Sequence, residues 1–193
     1  KDPRFCVVAP TDVSGVFAEL AQMEGGVRGR DDAIDSCLRT LAHCTGLGTH
    51  VFGDIVASVG LLTQLIDGVI RSVGESHPRC WEVVSAVRSR HLRLMLDLTA
   101  VGGTAVLVTE VLSSDSCSAL LSVGECDLPE LLRREIAARN FFTGTNPAAL
   151  RQLLHAETGL KEALANIRFT EPWLWPFLTR TYAVYAVTMQ KRG

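Results

Sequence analysis

The chain has no Cys-x-x-Cys pair, although six of its 193 residues are cysteine. The spacings of Cys6, Cys37, Cys44, Cys80, Cys117 and Cys126 match neither a zinc nor a disulfide framework. Cys37/Cys44 and His43/His50 recur at related positions, but a metal needs three or four convergent ligands, and Gly46–Gly48 separates these groups. The expectation is therefore no metal and buried free thiols acting as small hydrophobes, which suits a reducing, intracellular setting. Positive charge is not in excess either. Lys and Arg number 19 against 21 Asp and Glu, a net charge of -2, so the basic face that a nucleic-acid partner requires is missing. Apolar runs are short. Ile55–Ile66 and Leu98–Thr109 fall well below the ~18–20 residues that span a bilayer. A mean hydropathy of +0.21 still points to an unusually apolar interior or to docking into a larger protein or membrane-associated assembly. No signal peptide opens the chain at Lys1-Asp2-Pro3-Arg4, and the missing initiator Met leaves room for an upstream targeting segment. Nucleophile elbow, phosphate loop and zinc-protease motif are all absent, so neither catalysis nor a cofactor is expected.

What is present is helical periodicity. No apolar–polar alternation bounded by turns argues for a sheet. Thr11-Asp12 can cap a first helix to Met23, and Asp31/Asp32 start a second with Ile34, Leu38 and Leu41 inward. A long helix is expected over 50–73, with an apolar stripe of Val51, Phe52, Ile55, Val56, Val59, Leu62, Leu65, Ile66, Val69 and Ile70. Further helices follow at Cys80–Leu98, Thr104–Ser113, Pro129 to about Phe142, from Pro147, at Leu160–Phe169 and from Glu171. Gly102-Gly103 inside an apolar segment implies a close backbone approach, since glycine weakens a helix by about 1 kcal/mol relative to Ala. The chain, 1–193, reads as one all-α domain of about eight helices in two layers.

The segment Ala33–Ile70, with its helix–Leu-Gly–helix pattern and an aromatic shortly after the glycine, resembles the glycolipid-transfer-protein (GLTP) family over about residues 31–185. Leu92-Arg93-Leu94, the segment 102–112, Leu131–Arg134, Pro147–Leu154 and Glu171–Tyr185 follow the family's order of elements. The resemblance implies a GLTP-like helical fold with an apolar chamber for lipid acyl chains, and a lipid-binding or lipid-transfer function. It also implies a headgroup clamp of Asp, Asn and Lys, but the matching turns here carry Ala57/Ser58, Leu62 and Leu65. Leucines offer no hydrogen bond to a sugar or phosphate, and an unmade buried bond costs about 1–3 kcal/mol.

Candidate sites follow from these readings. A weak anion site is expected at Arg90, His91, Arg93 and Arg133; solvated surface positions are the plainer alternative. The chamber would be lined by Phe52, Ile55, Val59, Leu62, Val106, Phe141, Leu153 and Phe177. Trp173 and Trp175, flanked by Pro172 and Pro176, are candidate interface residues. On a helical start they would point to different faces. Two functions are carried forward: a lipid carrier with a degenerate headgroup site, and a non-catalytic structural subunit of a larger protein or membrane-associated complex.

Overall fold

The structure, a computed structural model, describes residues 11–23, 30–43 and 52–193. It corrects the all-α expectation: a five-stranded mixed sheet carries one layer and helices pack on one of its faces. The long helix expected over 50–73 is instead β1 (Gly53–Val59) followed by α3 (Leu61–Val73). The expected helix over 104–113 is part of β2 (Thr99–Ser113). The segment 160–169 divides into the end of α7 (Thr158–Ala163) and β3 (Leu164–Phe169). The aromatic C-terminal segment is a hairpin of β4 (Trp173–Phe177) and β5 (Arg180–Lys191). A GLTP-like two-layer helical domain is therefore not the architecture of this chain.

The physical reason is density of β-branched residues. Thr99, Val101, Thr104, Val106, Val108, Thr109 and Val111 crowd β2, and such side chains lose rotamer freedom on a helix but fit a pleated surface. The helices that do form include α1 (Phe17–Met23), α2 (Arg30–His43), α4 (Cys80–Leu98), α5 (Leu128–Ala137) and α6 (Pro147–Ala156). α6 starts on Pro147, and the Asn146 side chain accepts the Ala148 amide at 2.9 Å. Asp12 accepts the amides of Ser14 at 2.9 Å and Phe17 at 3.0 Å, closing the turn ahead of α1. The Gly46–Gly48 break, Val51, Cys6, Cys44 and His50 lie outside the described residues.

Strand order is β1-β2-β5-β3, with β4 pairing the other half of β5. β1 and β2 are parallel, joined through α3 and α4; every other pairing is antiparallel. Gly103 is what lets β1 close on β2. A Cβ there would lie 2.7 Å from the Asp54 carbonyl oxygen and 2.9 Å from that of Ala100. The close approach expected at the glycine pair is real, but it is strand on strand rather than helix on helix.

The core lies between sheet and helices. Leu62, Ile66, Val69 and Val73 of α3, and Val83, Val84, Val87 and Met95 of α4, meet Ala105, Leu107 and Val111 of β2 and Tyr185, Val187 and Met189 of β5. Cys37, Cys80 and Cys117 are buried free thiols, and Cys126 is an exposed one. No helix among the described residues is long and apolar enough to cross a membrane.

Candidate functional site

The inner side of the sheet holds a small polar interior. Ser58 Oγ and His91 Nε2 lie 2.8 Å apart, both residues buried. Desolvation, reinforced by the neighbouring Arg90 charge, pushes the imidazole down to about 4, so it is neutral near pH 7. Its Nδ1 has no hydrogen-bond partner. Arg88 donates to the Gly144 carbonyl at 3.2 Å, and Tyr185 donates to the Thr145 carbonyl at 2.8 Å. Burial raises the Tyr185 phenol well above its ordinary value. A serine nucleophile needs access to substrate and a base oriented by a third group. Ser58 is 6% exposed, and no carboxylate holds His91 Nδ1, so this pair acts as a hydrogen bond between α4 and β1.

The four expected anion ligands do not form one site. His91 faces Ser58 in the interior, and Arg90 beside it is buried. Arg93 is engaged by Glu157, its Nε donating at 2.7 Å, and Arg133 pairs with Glu130 on the exposed side of α5. No group of three or more His, Cys, Asp or Glu comes together among the described residues. The expected chamber residues are likewise dispersed. Leu62 is in the core, Phe141 and Leu153 pack partly buried against it, and Phe52 is 62% exposed just before β1. Ile55, Val59, Val106 and Phe177 lie on the opposite side of the sheet from the helices.

That opposite face is the unusual feature. Register places Ile55, Ala57 and Val59 beside Thr104, Val106 and Val108, and these beside Gln190, Thr188 and Ala186. Trp173, Trp175 and Phe177 pair with Val184, Tyr182 and Arg180 on the same side. Two tryptophans two residues apart on a strand share a face, contrary to the helical expectation. Ile55 is 73% exposed, Phe177 58% and Val59 50%, while Val184 and Ala186 on the same side are buried among their neighbours. At the hairpin tip Leu178 is 90% exposed and held at φ 53, a conformation that suits glycine.

At the carboxyl end of β1 this face deepens into a cleft of about 340 Å³, lined by Val59, Gly60, Gln64, Glu110, Trp175, Phe177, Tyr182 and Val184. Gly60 starts α3 at φ 65 without a capping side chain. A Cβ there would sit 2.9 Å from Glu110 Oε1, so the carboxylate lies directly against a turn whose φ favours glycine. Thr63 Oγ1 donates to Glu110 Oε2 at 2.7 Å. The expectation had singled out Val59, Trp175 and Phe177 but neither Glu110 nor Tyr182; the one charged residue within β2 was the available signal.

Compared with family models, curated proteins and solved structures, the chain matches none of them.

Proposed function

We propose that this chain is a non-catalytic docking subunit that joins a larger protein assembly through the outer face of its sheet. One observation carries the reading: outward positions that would be polar on a water-facing sheet are Ile55, Ala57, Val59, Val106, Val108, Trp173, Trp175 and Phe177. Contiguous apolar surface of this kind, ending in aromatic anchors, is what protein interfaces bury. Leu178 supports it, because a bulky residue kept at positive φ and in water gains nothing within the monomer.

The test is site-specific photocrosslinking in cells that make the chain, with benzoylphenylalanine at position 55 or 106 and, as control, at Trp81 on α4, itself 58% exposed. A discrete adduct from 55 and 106 but not from 81, lost on Ile55→Lys/Val106→Lys in a chain that still folds, is expected. Equal adducts from all three positions, or none, would refute docking through this face.

A further inference from the structure

We propose that the cleft at the end of β1 receives an arginine side chain of the docked partner. The proposal rests on the docking reading and adds the chemistry of one contact. Three aromatic side chains, Trp175, Phe177 and Tyr182, line the cleft together with a single carboxylate, Glu110. Arg71 and Arg180 share the adjoining pocket with Glu110, but Arg71 pairs with Asp67 at 2.7 Å, and Arg180 pairs with Asp115 at 2.8 Å and bonds Tyr182. Among the described residues the Glu110 carboxylate has no cation within ion-pair distance, and its one hydrogen bond is from the Thr63 hydroxyl.

Part of Glu110's role is internal, since a carboxylate beside the amino end of α3 complements the helix dipole. That contact uses Oε2. Oε1 lies against Gly60, where a Cβ would stand, and accepts no hydrogen bond among the described residues. A half-buried anion in an aromatic cleft favours a cation that can both pair with it and lie over rings. Guanidinium is planar and less strongly hydrated than ammonium, and it stacks on aromatic faces, so arginine fits better than lysine. The cleft lies where β1 ends at Val59 while β2 runs on to Ser113, so Glu110 and the aromatic rings flank the space past the shorter strand.

The experiment titrates the ¹⁵N-labelled chain with N-acetyl-arginine methylamide, its neutral citrulline counterpart and N-acetyl-lysine methylamide. The Trp175 indole N–H and the amides of Gly60 and Gln64 report binding. The arginine probe is expected to shift these signals and to bind about tenfold tighter than citrulline, the product of one cation–π contact and one exposed ion pair. Glu110→Gln, which keeps an acceptor for Thr63, should remove the ion-pair share and leave a difference of about threefold. Should Glu110→Gln fail to fold, Phe177→Leu decides, with arginine binding expected to fall severalfold. Equal affinity for arginine and citrulline, or no shift at any probe concentration, would overturn the proposal; equal affinity for lysine would overturn the choice of guanidinium. Crosslinking at position 106, outside the cleft, reads the docking face independently, so loss of the cleft and loss of the docking reading give different results.

Discussion

Acid should weaken this fold in part through His91. His91 is neutral and buried, its imidazole pushed down to about 4 against an ordinary 6.5 by desolvation and by the Arg90 charge. The unfolded chain therefore binds a proton at this side chain before the folded chain does. Stability is fully present above about pH 6.5, declines as pH falls, and levels out below about 4. Linkage gives about 1 kcal/mol lost between pH 7.5 and 5.5, and more by pH 4. Carboxylates with lowered values, such as Asp12, add to acid loss, so the measurement must be a difference. Urea unfolding of the unmodified chain and of His91→Gln at pH 7.5 and 5.5 provides it. Gln can keep a bond to Ser58 Oγ, now 2.8 Å from the ring nitrogen, and cannot titrate. The substitution should remove about 1 kcal/mol of the pH dependence whatever its effect at pH 7.5. Identical losses in both chains would show that His91 is not neutral in the fold, and the account of the inner polar cluster would fail.

Backbone space gives two further expectations. Gly103→Ala places a Cβ against the carbonyl oxygens of Asp54 and Ala100, neither of which can turn away, so it should cost about 1–3 kcal/mol and speed hydrogen exchange along β1. Gly144→Ala combines φ 79 with a Cβ 2.7 Å from Ile66 Cδ1; the side-chain end can yield but the dihedral cannot, and a loss of about 1–3 kcal/mol by thermal unfolding is expected. Leu178→Gly should act in opposite directions, raising stability by up to about 1 kcal/mol through relief of φ 53 while reducing the crosslinked adduct. Arg168→Glu on the outward side of β3 should leave that adduct unchanged, because Asn166, Arg168, Thr188 and Gln190 form a polar corner outside the apolar surface.

The helices were legible where their apolar stripe had one side. α2, α4 and α6 alternate buried and solvated residues with a helical period, and Pro147 marks the start of α6 as expected. The strands were not. A half-buried strand is recognised by alternation, but β1, β2 and β5 carry apolar side chains toward both the core and the outer face. Ile55-Val56, Val106-Leu107-Val108 and Val184-Tyr185-Ala186-Val187 therefore read as unbroken apolar runs, which periodicity cannot tell from buried helix. Valine and threonine content was the discriminating signal, and it had to outweigh a Leu-Gly motif whose second half here divides between a strand and a helix. Reading β4 as helix also sent Trp173 and Trp175 to opposite sides, concealing the aromatic row they form with Phe177.

The failure of the period and the docking surface have one physical origin. Had the outward residues of β1 and β2 been polar, the chain would have shown an alternating pattern and a sheet stable beside water. Their apolar character adds nothing to the monomer's core, since Leu107, Val111, Tyr185 and Val187 already fill the inner face. It is distributed unevenly as well, along β1, the middle of β2 and β4, while the far corner of β3 and β5 is polar. An uneven surface argues for a shaped contact rather than for general greasiness. Within it Glu110 is the exception, the one charge on β2, with Gly60 against it and aromatic rings around it. A carboxylate serving only the start of α3 would not need that setting; one that also meets an incoming cation would.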